Sequence, residues 1–85
     1  MYAVKIQKQA AKKLESLSAR DKLRITNKIM ELSWDPDSTQ LDTKKLSGRS
    51  ILRLRVGSWR IIYEKDDSLK ILYIEKIKSR GDVYK

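Results

Sequence analysis

Three arginines in two neighbouring alternating segments carry the clearest chemical signal in the chain. Residues 51–56 alternate between apolar and basic side chains, and a second alternating segment follows the dipeptide Gly57-Ser58. A Gly-Ser loop suits a type II′ hairpin turn, which places Arg55 directly opposite Arg60 with Arg53 on the same face. Like charges opposite each other are destabilising, and guanidinium groups match phosphate oxygens bidentately. The pattern predicts a phosphate-binding face. The alternative is a solvated face whose arginines contact acidic side chains or an acidic partner.

A second basic group lies near the C-terminus, where Lys78 and Arg80 are followed by Tyr84. An aromatic ring beside cations can stack on a nucleic-acid base, and a phenol can also relay a proton. The alternative is a frayed terminal segment, which is common at chain ends. A third group, formed by Lys44, Lys45 and Arg49, precedes the arginine strand and is either part of the same surface or a solvated loop.

Composition limits the chemistry and the partners. The chain has 85 residues, with 20 Lys and Arg against 11 Asp and Glu, and carries a net charge of +9. This length predicts a single domain over residues 1–85, and the charge predicts a polyanionic partner. Cysteine and histidine are both absent, which excludes catalytic triads and the usual thiolate and imidazole metal ligands. No segment reads as a membrane span or a secretory signal, so we expect a cytoplasmic protein.

Hydrophobic periodicity predicts an α+β fold. The order is β-α-α-β-β-β: an N-terminal strand, a helical hairpin, then an antiparallel sheet with the helices on one face. Residues 37–50 read as a loop with room for a short strand near residues 43–46. The predicted elements are a strand at 2–6, helices at 8–17 and from Ser18 to near Trp34, and strands at 51–56, 59–64 and 69–77.

The second helix has a recognisable start and an apolar stripe. Ser18 is a suitable N-cap, and Asp21 stands three residues later as in a capping box. Lysines of the first helix, including Lys12, read as its solvent face. The stripe that should face the sheet is formed by Ile25, Ile29 and Leu32, helped by Leu23 and Met30.

These residues resemble the RelE/ParE family of toxins from type II toxin–antitoxin systems. The resemblance rests on Lys44-Lys45-Leu46 with Gly48, on the block from Leu52 to Tyr63, and on the ending from Arg80 to Tyr84. It implies a RelE-like fold and one of two activities. RelE-type members are metal-free endoribonucleases that cut mRNA in the ribosomal A site, whereas ParE-type members inhibit DNA gyrase. Both kinds are neutralised by an antitoxin within a hetero-oligomer, and neither implies a cofactor.

The resemblance also implies site residues. The catalytic positions of RelE-type members fall here on Arg53 or Arg55, Arg60, Arg80 and Tyr84. The expected RNA-binding residues around them are Lys44, Lys45, Arg49 and Lys78. Ser79 stands where many ribonuclease relatives have histidine, so the general base is unassigned.

The interpretation that we favour is a ribosome-dependent mRNA endoribonuclease that inhibits translation, with the ribosome, mRNA and an antitoxin as partners. The reaction would be attack of a 2′-hydroxyl on its own 3′-phosphate, which requires neither metal nor protein nucleophile. The alternatives are gyrase inhibition and a non-catalytic module that binds nucleic acid or antitoxin. In the last case, alanine at Arg60 or Tyr84 should matter no more than alanine at Lys12.

Overall fold

The computed structural model describes residues 1–46 and 50–79. The predicted strand and helical hairpin are confirmed, but four strands follow the helices where three were predicted. The additional strand lies in the segment expected to be a loop. The elements are β1 (Ala3–Ile6), α1 (Lys8–Glu15), α2 (Ala19–Trp34), β2 (Asp42–Lys45), β3 (Ile51–Val56), β4 (Trp59–Asp66) and β5 (Ile71–Ser79).

The five strands form one mixed sheet in the order β1-β5-β4-β3-β2. β1 pairs with β5 in parallel, and the other neighbours are antiparallel. The hairpin register is the predicted one, with Arg55 opposite Arg60. Gly57 has a φ of 61° whereas Ser58 has no positive φ, which agrees with a type II′ turn and explains why glycine stands first in the loop.

A second turn joins β4 to β5 and delays the start of β5. The strand begins at Ile71 rather than at the predicted Leu69. The preceding residue, Lys70, has a φ of 58°, which is incompatible with an extended strand. The Asp66 side chain accepts a hydrogen bond of 2.9 Å from the backbone N–H of Leu69. The Asp67 carboxylate accepts one from the hydroxyl of Tyr2, which ties the turn to the N-terminal segment.

The hydrophobic core lies between the two helices and one face of the sheet. Alternation along the strands explains this, since every second side chain of β3 and β4 points to the same side. Burial is complete for Leu54, Ile61 and Tyr63 in the sheet. The core cluster consists of Ala10, Ile25, Ile29, Leu32, Leu41, Leu54, Val56, Ile61, Tyr63, Leu72, Ile74 and Ile77.

The start of α2 confirms the capping pattern, but part of its predicted stripe is wrong. The Ser18 hydroxyl accepts a hydrogen bond of 3.2 Å from the backbone N–H of Asp21. Leu23 and Met30 were expected to support the buried stripe, yet they are 62% and 51% exposed. At about 100° per residue they fall on the side of α2 opposite the buried Ile25.

Tyr63 brings an unpaired polar atom into the core. Its side chain is fully buried, and its hydroxyl has no hydrogen-bond partner among the residues that the structure describes. Such a group costs stability because its water contacts are lost without replacement. We therefore expect Tyr63→Phe to raise the free energy of unfolding by about 1 kcal/mol, measured by urea denaturation at pH 7. A lower urea midpoint for the variant would contradict this.

The same residue predicts a loss of stability in alkali. Burial raises the pKa of Tyr63 from 10.0 to about 12, so between these values the folded protein keeps a proton that the unfolded chain releases. Stability contributed by the neutral phenol is therefore lost as the pH rises from 10 towards 12. Tyr63→Phe should flatten this part of the stability profile. A smaller slope should remain, because the hydrogen bond to Asp67 raises the pKa of Tyr2 to about 12 as well.

Candidate nucleic-acid interface

The three arginines identified in the sequence lie on the open face of the sheet, which is the face opposite the helices. Arg55 pairs with Arg60 across the hairpin, and Arg53 pairs with Ile62. Their neighbours along the strands, such as Leu54 and Ile61, point into the core. The buried face holds the register in place, because a slip by one residue would send the arginines into the core.

A β-bulge in β5 adds two lysines to this face. Ile74 is buried, and strict alternation beyond it would turn Lys76 and Lys78 towards the core as well. Glu75 is an extra residue without a partner on β4, so the alternation restarts after it. Lys78 then lies opposite Arg60, with Lys76 on the same face. Bulges commonly redirect side chains in this way near functional sites.

Strand β2 contributes one cation and one acid at the far edge. Lys44 pairs with Arg53, and Asp42 pairs with Arg55, so both side chains belong to the open face. Lys45 pairs with Leu52 and therefore points to the other side of the sheet, away from the arginines. Of the two adjacent lysines predicted to bind RNA, the fold places only Lys44 beside the arginine group.

Among the described residues, Asp42 forms salt bridges with two of the three arginines and leaves the third without one. Its Oδ1 atom lies 3.0 Å from Nη2 of Arg53, and its Oδ2 atom lies 3.8 Å from Nε of Arg55. The Arg53 side chain is only 11% exposed, so this carboxylate offsets the cost of burying a cation. Within residues 1–46 and 50–79, Arg60 forms no salt bridge. Arg60 is therefore the arginine whose charge is available to a ligand.

Basic side chains surround a shallow cavity of about 400 Å³ on the open face. Two apolar side chains, Leu46 and Ile62, lie among them, and within residues 1–46 and 50–79 no acidic residue lines the cavity. Apolar surface can support a base while the cations bind phosphate oxygens. The cavity is lined by Lys44, Leu46, Arg53, Arg60, Ile62, Lys76 and Lys78.

The remaining predicted site residues lie elsewhere or cannot be placed. Arg55 is turned towards Asp42 and lines a separate cavity between α2 and the β2 edge, together with Arg24. Arg49, Arg80 and Tyr84 lie outside the described residues. The described part of the chain contains no group of three or more His, Cys, Asp or Glu residues that could hold a metal ion.

Sequence reasoning missed four contributors to this face. Lys76 was overlooked because its place depends on the bulge. Ile62 and Leu46, which are apolar, were not among the predicted site residues. Asp42 was not connected with the arginines because β2 was not recognised as starting there, although the two-residue spacing of Asp42 and Lys44 is that of neighbours on one strand face.

Within residues 1–46 and 50–79, neither helix is long and apolar enough to cross a membrane.

Both the sequence and the fold of this chain are similar to those of known proteins. The profile of the family described as "ParE toxin of type II toxin-antitoxin system, parDE" matches residues 4–84. RelE in the archaeal RelE–RelB complex from Pyrococcus horikoshii OT3 is 34% identical, with a TM-score of 0.84 over 94% of this chain and 96% of that chain. No curated protein matches the chain.

Two further structures share the fold at lower identity. RelE in the intact E. coli RelBE toxin–antitoxin complex is 17% identical, with a TM-score of 0.79 over 93% of this chain and 96% of that one. The RelB–RelE complex from Methanococcus jannaschii gives 24% identity and a TM-score of 0.77, covering 94% of both chains. From the profile match over nearly the whole chain and the basic open face, we conclude that this chain belongs to the RelE/ParE superfamily and is a toxin of a type II toxin–antitoxin system.

Proposed function

We propose that this toxin is an endoribonuclease that cuts mRNA on the ribosome and so inhibits translation. The observation that carries the proposal is the cavity on the open face, where Arg60, Lys76 and Lys78 converge and where none of the described lining residues is acidic. Repulsion among these cations is relieved when a phosphate binds. The apolar side chain of Ile62 beside them suits the base of the same nucleotide.

The proposed reaction is an internal transesterification. The 2′-hydroxyl of the bound nucleotide attacks its 3′-phosphorus, a P–O2′ bond forms, and the bond to the 5′-oxygen of the next nucleotide breaks. A general base takes the 2′-hydroxyl proton, and the leaving oxygen is protonated by a general acid. The products are a 2′,3′-cyclic phosphate and a 5′-hydroxyl. No protein nucleophile takes part, which agrees with a chain that lacks cysteine and histidine.

Arg60 supplies the main electrostatic stabilisation in this proposal. The transition state carries more negative charge on its phosphoryl oxygens than the substrate does, and preorganised donors aimed at that charge lower the barrier. Arg53 lines the cavity but forms a salt bridge with Asp42, so it contributes less. By family resemblance, Arg80 holds phosphate and Tyr84 stacks on the base or assists proton transfer. The ribosome would orient the mRNA for in-line attack.

Gyrase inhibition is the second candidate, because the matching family profile is that of ParE toxins. This function requires a protein–protein surface and no chemistry. It predicts DNA breakage in gyrase assays together with intact mRNA, whereas the ribonuclease predicts the reverse. A module that only binds nucleic acid or antitoxin would give neither result.

We also propose that a cognate antitoxin binds this toxin in a hetero-oligomer in the cytoplasm. The structures from P. horikoshii and M. jannaschii are complexes of RelE with RelB. A net charge of +9 on 85 residues favours an acidic partner segment by electrostatic complementarity. Binding over the open face would cover the cavity and block access of RNA.

The direct test is cleavage of mRNA on programmed ribosomes, with the cut positions mapped by primer extension. We expect cuts within the A-site codon. An otherwise identical mRNA with a 2′-O-methyl group at the mapped nucleotide should remain intact there, since the attacking hydroxyl is blocked. Cleavage of the methylated mRNA at the same position would disprove the 2′-hydroxyl mechanism. Intact mRNA together with trapped gyrase–DNA cleavage products would favour the ParE-type function.

A further inference from the structure

A second basic groove lies beside the cavity, between α1 and β5. It has a volume of about 580 Å³, and the described residues that line it include four lysines and no acidic residue. Two of these lysines, Lys12 and Lys13, were interpreted from the sequence as the solvent face of the first helix. The groove is lined by Gln9, Lys12, Lys13, Lys76, Ile77 and Lys78.

The fold creates this groove because β1 is shorter than its partner. β1 pairs with β5 only as far as Ile74, where the backbone N–H of Gln7 donates a hydrogen bond of 2.9 Å to the Ile74 carbonyl. The chain then enters α1 at Lys8. Beyond Ile74, β5 has no strand partner on this side among the described residues, and α1 runs beside the open strand edge.

The lysines of the groove are available to a ligand. Within the described part of the chain, none of the five salt bridges involves Lys12, Lys13, Lys76 or Lys78. Nζ of Lys13 lies 5.6 Å from the centre of the Trp59 ring, a cation–π contact that holds this side chain at the groove without neutralising it.

The groove and the cavity on the open face are adjacent and have two lysines in common. Lys76 and Lys78 line both, and their separation by two residues of strand, about 6.6 Å, is comparable with the spacing of successive phosphates along an extended nucleic-acid strand. At the opposite side of the cavity stands the carboxylate of Asp42, paired with Arg53. On the side of α1, by contrast, the lysines continue beyond the cavity, so a polyanion that leaves it there stays in contact with positive charge.

We propose that α1 and the open edge of β5 form a second phosphate-binding site, in which Lys12 and Lys13 hold the backbone of the RNA strand that flanks the reacting nucleotide. This inference rests on the proposed function for the identity of the strand. The cavity on the open face binds the reacting nucleotide, and the groove extends the footprint by further phosphates. Lysines suit this task because they bind phosphates as point charges without reading sequence.

The test uses the 85-residue chain and varies two things: the length of the RNA and the position of the lysines that are replaced. Fluorescein-labelled 2′-O-methyl RNAs of three and ten nucleotides, which cannot be cleaved by 2′-hydroxyl attack, are titrated by fluorescence anisotropy over a range of salt concentrations. The variants are Lys12→Gln/Lys13→Gln and a control, Lys8→Gln/Lys22→Gln. The control removes the same charge from exposed helical positions outside the groove.

We expect Lys12→Gln/Lys13→Gln to bind the ten-nucleotide RNA about tenfold more weakly than wild type, with the slope of log affinity against log salt reduced by about 1.4, which is two contacts at ~0.7 each. The three-nucleotide RNA should bind both proteins equally. The control should lose less than about twofold on either RNA. Equal losses in the groove variant and the control would overturn the proposal.

Two additional measurements separate this inference from the proposed function. Arg60→Ala should weaken both RNAs, since both occupy the cavity. If Arg60→Ala has no effect while the groove variant weakens the longer RNA, the groove is supported and the cavity assignment fails. If a ten-residue polyglutamate peptide binds as tightly as the ten-nucleotide RNA and is weakened equally by Lys12→Gln/Lys13→Gln, the assignment to RNA is overturned. The single variant Lys12→Gln serves if the double variant does not fold.

Discussion

Arg60→Ala is expected to lower the rate of mRNA cleavage on programmed ribosomes by about 10²–10³-fold, with little change in stability. Arg60 lines the cavity on the open face and has no salt bridge within the described residues. Removing it therefore leaves no carboxylate of the described residues without a partner. It also removes a like charge opposite Arg55, which favours the fold slightly.

The measurement is a single-turnover cleavage assay, paired with urea denaturation of the same preparations. Arg20→Ala is the matched control because Arg20 is exposed at the start of α2 and lines none of the described cavities. Lys12 is unsuitable as a neutral control, since it lines the groove beside β5. Cleavage by Arg60→Ala at the rate of Arg20→Ala would rule out Arg60 as the main source of electrostatic stabilisation.

Asp42→Ala is expected to lower the free energy of unfolding by about 1–2 kcal/mol. The variant leaves the guanidinium of Arg53 without its carboxylate partner, although that side chain is only 11% exposed. Nε of Arg53 already lacks a hydrogen-bond partner among the described residues. The cost stays below that of a fully buried pair because Asp42 itself is 54% exposed, so water can replace part of the lost interaction.

A double-mutant cycle identifies the source of this loss. Arg53→Met keeps a long, unbranched side chain but removes the buried charge, so Asp42→Ala should cost much less in the Arg53→Met background. Urea denaturation of the four proteins gives the coupling energy, which we expect to be about 1 kcal/mol or more. The corresponding cycle with Arg55→Met should give a smaller value, because the Arg55 contact is longer, at 3.8 Å, and more exposed. Additive effects of Asp42→Ala and Arg53→Met would contradict the assignment.

Local signals were sufficient for most of the fold. The glycine at position 57 specified the hairpin turn, and the turn with the two-residue alternation specified which side chains of β3 and β4 share a face. The cap at Ser18 placed the start of α2 correctly. In each case the determining interaction lies within a few residues along the chain, so sequence spacing alone describes it.

Errors occurred where apolar residues were assigned against the helical period or where no local pattern existed. Leu23 and Met30 are apolar and were added to the buried stripe of α2, yet helical periodicity places them on the outer side. The short strand β2 was not firmly predicted because the four residues Asp42–Lys45 are mostly charged. Such a segment becomes a strand only when β3 offers an edge to which it can pair.

Most of the candidate site was decided by the tertiary structure. From the sequence alone came the shared face of Arg53, Arg55 and Arg60, the excess of positive charge, and the exclusion of cysteine and histidine chemistry. Pairing of β2 with β3 brought in Asp42, which divides these arginines into neutralised and available ones.

The bulge at Glu75 turned two lysines of β5 towards Arg60, and the early end of β1 left the strand edge beside which α1 presents Lys12 and Lys13. These features depend on contacts between segments far apart in the chain. Sequence spacing determines which face of an element a residue occupies, whereas the neighbours of that face are set only when the elements pack together.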